Sequence, residues 1–525
     1  MNVLLMTCRA NSEEEDRELP GQMPLGLGYI AAFLERHSRH SVTIIDVPHR
    51  NVSLETIADT IEGQDVRVVG LTTYVSSASF LNRVTLFLKT RFPHLLIVAG
   101  GPLASTLPHL LLRWYRVDVV VQGPGERAFL EIVTNLERGI PNPPLVTGTL
   151  PANIDDLPAP DWRALAWDTY SYLPPWHGFP ILTSRGCPYQ CNYCTKVTGN
   201  IYHRRTVSGI IEEIKRAVTS FDLESFMVQD ELLFASTRHL KSFCRSLIQS
   251  GLDVTWSAAS RIDLLDGESV ELLKEAGCRA IGVGIESGSQ RMLDRMNKNL
   301  SLEKSAINIG RLGKVDIRIM PYIIVGYPGE SRETLEETER FLIENNLYSA
   351  MTYAFPFPGT TLWRIALERN LIASPEEYLA RERFSVSAMQ YNFTEMAADE
   401  LHETVEGMKE RVLRNYIRSL IGNDLARLHG AWSDRGIHIF GAGFLGKGLY
   451  NLLAEDQRIK SRIKTFLDED PRRIGGSHAG VPVVSLADSV ISERDLFFVA
   501  NNYYADLMRE KLYQKNADAL VVCLG

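Results

Sequence analysis

Cysteine is scarce in this chain, with seven residues among 525. The odd number and the irregular spacing exclude a disulfide framework and favour a reducing compartment. No apolar run approaches the roughly 18 residues that a membrane span needs. The first residues, MNVLLMTCRANSEEEDRE, lack the basic start and the apolar stretch of a signal peptide. We therefore expect a cytoplasmic protein without a membrane span.

Basic charge is also in deficit. The chain has 56 Lys and Arg against 64 Asp and Glu, which gives a net charge of −8. Because proteins that bind nucleic acids need a basic surface, this balance predicts no nucleic-acid partner. The content of 45% hydrophobic and 23% charged residues is typical of a folded globular protein. A chain of this length fits about three domains.

Strands and helices alternate through the first 140 residues. Apolar runs such as NVLLMTC, VRVVGLTTY, LLIVAGG and VDVVVQG are separated by segments of helix length. This pattern predicts an α/β domain with a doubly wound, Rossmann-like sheet, which binds ligands beyond the carboxyl ends of its strands. Small or polar residues follow those ends, namely Thr72, Thr73, Ser76, Gly100, Gly101, Gly123, Gly125 and Glu126.

A second α/β series follows a proline-rich segment. Residues 141–178 predict a linker, because prolines at this density disfavour helix. Residues 179–396 contain six further strands: PILTSRG, SFMVQD, VTWSAAS, AIGVGIE, IRIMPYIIVG and SAMTYAFP. Their regular alternation with helices predicts a partial TIM-like (β/α)6 barrel with its active site at the carboxyl ends of the strands.

The remaining residues predict a helical connector over 397–434 and a small Rossmann-like domain over 435–525. Gly441, Gly443 and Gly446 form a glycine-rich turn between a strand and a helix, and Asp468 ends the next strand. Such a turn can hold a pyrophosphate, and the acid can hold a ribose hydroxyl. A unit this short also occurs without any ligand. A bound nucleotide and a structural appendage therefore both stay open.

Three cysteines are concentrated where the first barrel strand ends. Cys187, Cys191 and Cys194 lie within TSRGCPYQCNYCTK, and no Cys or His follows within the next eight residues. A structural zinc site needs four ligands. A cubane [4Fe-4S] cluster held by three thiolates leaves one iron open to a substrate or cofactor. The spacing favours such a cluster, with zinc as the alternative.

This C-x3-C-x2-C motif, with the aromatic Tyr193 before its last cysteine, resembles the radical S-adenosylmethionine (SAM) superfamily. The resemblance implies that the open iron binds SAM and that reductive cleavage yields a 5′-deoxyadenosyl radical. An external electron donor such as flavodoxin or ferredoxin would be a partner. The resemblance also implies SAM contacts at the later strand ends, by Gln229, Asp230, Ser260, Arg261, Glu286, Ser287, Val325 and Gly326.

The amino-terminal domain resembles the cobalamin-binding domain that precedes many radical SAM barrels. The segments that carry this resemblance are PLGLGYIAAFLE at 24–35, VVGLTTYVSS at 68–77, IVAGGP at 97–102 and VVQGPGERAFLEIV at 120–133. It adds Leu25 and Gly26 to the predicted cobalamin contacts. The loop after the first strand, TCRANSEEEDRELPG, departs from the wider family because it contains no histidine to coordinate cobalt. Cobalamin without a histidine ligand and a fold without cofactor are both compatible with this loop.

Two cofactors in two domains imply a cobalamin-dependent radical SAM enzyme. Its implied reaction transfers a methyl group from methylcobalamin to an unactivated carbon of a small molecule, after the radical has removed a hydrogen atom. Cyclisation, rearrangement or desaturation without methyl transfer is the first alternative. An RNA methylthiotransferase would carry further cysteines in the amino-terminal domain, which has only Cys8. A non-enzymatic metal or redox-sensing module is the alternative from another class.

Three residues are candidate acids or bases near the substrate. Glu231 follows the second barrel strand, Tyr327 the fifth and Tyr353 the sixth. Each of them is also compatible with a purely structural place in the cavity wall. The sequence therefore assigns no general base.

Overall fold

Three six-stranded sheets follow one another along the chain. The computed structural model describes residues 1–8, 23–170, 178–315, 317–381, 384–492, 494–500, 505–516 and 519–524. The α/β class that the sequence predicts is confirmed for all three sheets.

The first sheet forms a doubly wound domain. Its elements are β1 (Asn2–Thr7), α1 (Leu25–His37), β2 (Ser41–Ile45), α2 (Val47–Arg50), α3 (Leu54–Gly63), β3 (Val66–Thr72), α4 (Ala78–Arg91), β4 (Leu96–Gly100), α5 (Pro102–Thr106), α6 (Pro108–Trp114), β5 (Val119–Gln122), α7 (Glu126–Glu137) and β6 (Leu145–Thr147). The parallel strands have the order β2-β1-β3-β4-β5-β6. The direction of winding reverses between β1 and β3, which is where open α/β sheets bind ligands.

The last strand of this sheet lies inside the segment that the sequence assigned to the linker. Leu145–Thr147 pairs with β5 at one edge of the first sheet, so this sheet includes residues beyond 140. A strand of three partly exposed or exposed residues among prolines has no apolar pattern that periodicity could detect. Its position follows only from the pairing with β5.

The second sheet is a curled half-barrel. Its elements are β7 (Phe179–Ile181), β8 (Ser184–Arg185), β9 (His203–Arg204), α8 (Val207–Phe221), β10 (Ser225–Val228), α9 (Thr237–Gln249), β11 (Thr255–Ser260), α10 (Gly267–Glu275), β12 (Cys278–Glu286), α11 (Gln290–Arg295), α12 (Leu302–Lys314), β13 (Arg318–Val325), α13 (Arg332–Glu344), β14 (Thr352–Tyr353), α14 (Thr361–Glu368) and α15 (Pro375–Ala380). The barrel strands have the order β14-β13-β12-β11-β10-β7, and β8 pairs with β9 separately. These are the six barrel strands that the sequence predicts.

Large apolar side chains fix the strands of the half-barrel against its helices. Trp256 of β11 is fully buried, stacks on Phe226 of β10 at 5.8 Å between ring centroids, and meets Phe243 of α9 edge-on at 5.5 Å. Its indole N–H donates to the Ala276 carbonyl at 2.8 Å, so the ring carries no unsatisfied polar group. The strand ends that face the first domain therefore rest on a rigid base.

A long helix leads to the third sheet. The elements are α16 (Ala398–His429), β15 (Ile437–Phe440), α17 (Phe444–Leu453), α18 (Gln457–Lys460), β16 (Ile463–Leu467), β17 (Ser477–His478), β18 (Val481–Val484), β19 (Leu496–Val499), α19 (Ala505–Lys515) and β20 (Leu520–Cys523). The order is β17-β18-β16-β15-β19-β20, with only the β17–β18 pair antiparallel. Phe444 stacks on Tyr348 of the barrel domain at 5.2 Å, which docks this domain on its neighbour.

Candidate functional site

The three clustered cysteines lie on one loop after β8. Hydrogen bonds fix this loop to the turn after α11. The Asn192 N–H donates to the Met296 carbonyl at 3.0 Å, and the Asn192 amide donates to the Arg295 carbonyl at 2.9 Å. The Asn297 amide donates to the Gln190 carbonyl at 2.6 Å. These contacts fix the middle of the loop, at Gln190 and Asn192, to the barrel domain.

All three thiols of this loop are free. Cys187 and Cys191 are partly buried, and Cys194 is exposed. The hydrogen bond between the two thiols lowers the pKa of Cys191 and raises that of Cys194, and the Lys298 ammonium favours the thiolate form of both. One thiolate of the pair is therefore stabilised, and the thiolate is the form that binds metal. Within the described ranges, no three Cys, His, Asp or Glu side chains converge enough to hold a single metal ion. A cubane needs no such convergence, because each thiolate binds a different iron.

A buried ion pair lies beside these cysteines. Lys298 Nζ is 2.7 Å from Glu286 Oε1, and neither side chain is more than 9% exposed. Glu286 ends β12 with a φ of +66°, a conformation that costs energy for any residue except glycine. A Cβ at Gly284 would lie 2.4 Å from the Glu286 carboxylate, so glycine makes room for the pair. Sequence reasoning named Glu286 and missed Lys298.

Arg261 braces the cluster loop from the end of β11. Its guanidinium lies 3.9 Å from the ring centroid of Tyr189, which belongs to the loop. It also forms an ion pair with Asp263 and donates to the Lys298 carbonyl at 2.8 Å. Ser260 is buried next to it. Both predicted SAM residues of this strand end therefore lie at the base of the loop.

Asp230 is buried under the segment that leads into the cysteines. Its carboxylate accepts hydrogen bonds from the Thr183 N–H at 2.8 Å, from the Thr183 hydroxyl, and from the Ser184 hydroxyl at 2.6 Å. Burial raises its pKa to about 6, and these hydrogen bonds act in the opposite direction. The neighbouring Gln229 N–H donates to the Ile181 carbonyl at 2.9 Å. Asp230, which the sequence predicts as a SAM contact, positions the start of the cluster loop.

Replacing Asp230 with Asn should destabilise the protein. The amide has one acceptor oxygen and an NH2 group, whereas the donors of Thr183 and Ser184 now share two carboxylate oxygens. A buried unsatisfied group costs about 1–3 kcal/mol. We expect the free energy of unfolding in denaturant titrations to fall by about this amount. As a matched control, Asp266→Asn alters a more exposed carboxylate that caps α10. A variant as stable as the wild type would contradict the role of Asp230.

The next strand ends hold the other predicted SAM residues. Ser287 is fully buried, and its hydroxyl meets that of Thr338 in α13 at 3.1 Å, so it is engaged with an outer helix. Val325 is fully buried in β13. Gly326 has a φ of +75°, and its N–H donates to the Glu330 carboxylate. Burial raises the pKa of Glu330 to about 8. The loop after β13 is therefore shaped by a buried acid.

A cavity of about 740 Å³ separates the cluster loop from the first domain. Loops after β3 and β4 form one wall, which contains Tyr74, Val75, Ser76, Pro102, Leu103 and Thr106. The cluster side contributes Tyr193, Cys194, Thr195, Val197 and Glu231. A third wall comes from segments after β14 and α15, with Phe355, Phe357, Pro358, Phe384, Ser385, Val386 and Ser387. No sequence pattern predicted this third wall, in which the string FPFP spans residues 355–358.

One acid and one phenol line this space: Glu231 is exposed, and Tyr193 is partly buried. Burial and the Glu286 carboxylate raise the pKa of Tyr193. Partial desolvation raises the pKa of Glu231, whose side chain lines the cavity. Tyr353 instead directs its hydroxyl to His402 of α16 at 3.3 Å, and burial raises the pKa of Tyr327 to about 12. Of the three candidate acids or bases, Glu231 is the one that lines the cavity.

A second cavity, of about 180 Å³, lies at the carboxyl edge of the first sheet. Seven residues predicted from the sequence line it: Gly26, Thr72, Gly100, Gly101, Gly123, Gly125 and Glu126. A Cβ added at Gly26 or Gly100 would meet no atom within 4 Å, so a side chain there would enter open space. The glycines thus keep a narrow cradle open, which fits the nucleotide tail of cobalamin.

Two other predicted cobalamin residues lie behind this cradle. Leu25 is buried in the core of the first domain. The Thr73 hydroxyl donates to the Gly100 carbonyl at 2.7 Å and accepts from the Ala104 N–H at 3.2 Å, so it joins the loops after β3 and β4. The loop without histidine falls largely outside the described residues, which resume at residue 23. His49, in α2, is engaged with Thr169 at 3.0 Å.

The glycine turn of the third domain is tightly packed. Gly441 has a φ of +108°, and a Cβ at Gly446 would lie 1.8 Å from the Gly441 carbonyl oxygen. Asp468 accepts from the Ala442 N–H at 2.7 Å and lies 3.4 Å from Arg473. The acid predicted to hold a ribose hydroxyl is thus bonded to the turn itself. Gly443 precedes α17, and nucleotide binding there stays a prediction.

Two family models match the chain and together span just over half of it. The B12 binding domain matches residues 22–133, and the Radical SAM superfamily matches residues 181–342. Both matches fall on the domains that hold the two cavities and the cysteine loop.

Curated relatives cover about two thirds of the chain. An uncharacterized methyltransferase of Pyrococcus horikoshii is 29% identical over 66% of this chain and 79% of its own length. An anaerobic magnesium-protoporphyrin IX monomethyl ester cyclase of Rubrivivax gelatinosus is 27% identical over 68% of each. The cytidylyl-2-hydroxyethylphosphonate methyltransferase of Streptomyces wedmorensis is 24% identical over 68% of this chain and 80% of its own.

Two solved structures share the fold. The radical SAM methyltransferase TsrM from Kitasatospora setae, with cobalamin and a [4Fe-4S] cluster bound, has a TM-score of 0.57 and 17% identity over 70% of this chain and 75% of its own. The cobalamin-dependent SAM radical enzyme OxsB, with aqua-cobalamin and SAM bound, has a TM-score of 0.56 and 15% identity over 87% of this chain and 71% of its own.

No helix among the described residues is long and apolar enough to cross a membrane.

The cysteine loop, the glycine cradle and the two family matches lead to one conclusion. The chain combines a B12 binding domain with a domain of the Radical SAM superfamily, and the cofactors of these two domains are cobalamin, a [4Fe-4S] cluster and SAM.

Proposed function

We propose that this enzyme transfers a methyl group to an unactivated carbon of a small molecule. The observation that carries the proposal is the 740 Å³ cavity, which has Cys194 on one wall and the loops after β3 and β4 on the opposite wall. A substrate in this space contacts both cofactor-binding domains at once. One reaction can therefore use a radical from one side and a methyl group from the other.

When bound, the cluster and SAM supply a radical that removes a hydrogen atom, and cobalamin supplies the methyl group. The residues of the chain position the substrate and exclude water. Phe355, Phe357 and Phe384 form an apolar wall that limits access of solvent to a reactive carbon. Glu231 is the acidic side chain among the described lining residues, so we assign it the orientation of a donor group on the substrate.

The relatives support this reaction. Two of those described above carry methyltransferase names, in line with a methyl acceptor as substrate. The cyclase of Rubrivivax gelatinosus favours a second candidate, the formation of a ring without methyl transfer. Both reactions use the same cofactors, so the product must distinguish them. A non-enzymatic metal or redox module is disfavoured, because these relatives are enzymes.

The test is an anaerobic incubation of the reconstituted enzyme with a cell extract and SAM deuterated at its methyl group. We expect a product that is heavier by one methyl group and carries all three deuterons. One 5′-deoxyadenosine and one S-adenosylhomocysteine should form for each methyl group transferred, and mass spectrometry measures all three. A product lighter by two hydrogens and without deuterium would contradict methyl transfer and establish ring formation or desaturation.

The proposed reaction needs a redox partner. The cluster needs electrons from outside the chain, which we assign to a flavodoxin- or ferredoxin-like donor in the cytoplasm. Six cysteines are free thiols, which supports a reducing compartment: Cys8, Cys187, Cys191, Cys194, Cys244 and Cys278.

The third domain is the other open part of the proposal. The turn at Gly441, Gly443 and Gly446 supports a nucleotide there, whereas the bonded state of Asp468 supports an appendage. Calorimetry on the whole chain with nicotinamide dinucleotides and nucleotide sugars distinguishes these roles. Heat that is lost in a Gly443→Val variant would establish a nucleotide site, and its absence would favour the appendage.

A further inference from the structure

One buried ion pair connects the two cofactor-binding domains. Arg185 lies in β8, two residues before Cys187, and Glu126 is the first residue of α7 in the first domain. Arg185 Nη1 is 2.5 Å from Glu126 Oε1, and the two side chains are 16% and 4% exposed. Water and salt screen the attraction within a buried pair much less than within a surface pair.

A second helix of the first domain completes the contact. The Arg185 guanidinium lies 4.6 Å from the ring centroid of Tyr29 in α1, a distance typical of a cation–π interaction. The side chain of Arg185 is thus held by the first domain, whereas its backbone belongs to the barrel.

That backbone is rigidly joined to the cluster loop. Arg185 pairs with His203 in the β8–β9 hairpin. The next residue, Gly186, has a φ of +84°, and a Cβ there would lie 2.0 Å from the Ile201 carbonyl oxygen. Because Cys187 directly follows Gly186, a shift of the cluster loop must also move the backbone of Arg185.

The other end of the pair reaches the cobalamin cradle. Glu126 lines the 180 Å³ cavity together with Gly100 and Gly123. Its second oxygen, Oε2, is buried and has no hydrogen-bond partner among the described residues. Buried polar atoms are almost always hydrogen-bonded, so this oxygen calls for a donor. The hydroxyl and amide groups of cobalamin are donors of the required kind.

We propose that Glu126 and Arg185 couple the two cofactor sites: Glu126 accepts a hydrogen bond from cobalamin, and Arg185 transmits its position to the cluster loop. An ordered cluster loop fixes the position of Arg185, and the ion pair with Arg185 fixes the Glu126 carboxylate. The carboxylate can then accept a hydrogen bond from cobalamin without losing further side-chain freedom. Such coupling is reciprocal, so each cofactor must strengthen the binding of the other by the same factor.

The test compares the affinity for cobalamin in cluster-loaded and cluster-free protein by equilibrium dialysis. We expect the loaded wild type to bind about tenfold more tightly, within the range usual for coupled sites. In Glu126→Gln, the side-chain NH2 group must face either the Arg185 guanidinium or the donor on cobalamin, and it can accept a hydrogen bond from neither. The ratio of the two cobalamin affinities should therefore fall to about one. Arg185→Lys keeps the charge and should retain part of the ratio.

Two controls separate coupling from misfolding. Glu400→Gln removes an exposed ion pair with Arg332 and should leave the tenfold ratio unchanged. Iron content should match the wild type in every loaded variant. The same ratio in Glu126→Gln as in the wild type would overturn the proposal, as would a wild-type ratio of one. Both readouts measure binding, so neither depends on which reaction the enzyme catalyses.

Discussion

Replacing any one of Cys187, Cys191 and Cys194 with Ala should abolish iron–sulfur absorbance and all cleavage of SAM. Three thiolates leave one iron open, and two do not retain a stable cubane. The fold should survive the change, because hydrogen bonds of Asn192 and Asn297 fix the middle of the loop to the turn after α11. Iron analysis and quantification of 5′-deoxyadenosine after anaerobic reconstitution measure the effect.

Cys244 provides the matched control. It is a buried free thiol in α9, and burial raises its pKa to about 12, so it stays protonated. Cys244→Ala should therefore keep full iron content and SAM cleavage. A cluster lost in this variant, or kept after loss of Cys191, would show that the set of ligands is different.

Gly100→Val should remove cobalamin while the cluster stays intact. Gly100 ends β4, a place that suits valine, and an added Cβ meets no atom of the chain within 4 Å. The side chain instead enters the cradle that the tail of cobalamin would fill. Overpacking of this kind costs about 1–3 kcal/mol, which is about 5- to 150-fold in affinity. Cobalamin absorbance after gel filtration, with iron measured in the same sample, gives the result.

Gly101 is a poorer choice for the same experiment. Its φ is +91°, and a Cβ there would lie 2.8 Å from the Thr72 hydroxyl, so valine would strain the fold itself. Gly63→Val is the matched control. A Cβ added at Gly63 also meets no atom within 4 Å, but Gly63 is the exposed last residue of α3. Cobalamin retained by Gly100→Val, or lost equally by Gly63→Val, would contradict the cradle.

The parts of the site that the sequence predicted share one property: each is local. The cysteines fall in one short motif, and Gly26, Gly100 and Gly123 follow or begin recognisable elements. Parallel strands bring their carboxyl ends to one edge, so these residues assemble without knowledge of any contact. The six barrel strands were predicted for the same reason, since each is a distinct apolar run.

The contacts that the sequence did not reveal join distant segments of the chain. In the sequence, Lys298 and Glu286 are ordinary charged residues. Their burial as an ion pair depends on the turn after α11. Arg185 and Glu126 lie 59 positions apart and belong to different domains. The direction of a side chain is equally hidden in the sequence. Ser287 follows the fourth barrel strand as predicted, yet its hydroxyl meets Thr338.

We expect one chain to hold both a [4Fe-4S] cluster and cobalamin, one in each of its two cofactor-binding domains. Metal analysis of the anaerobically reconstituted, gel-filtered wild type tests it most directly. The account predicts about four irons and about one cobalt per chain in the same fraction. About one zinc per chain, with neither iron nor cobalt, would contradict it.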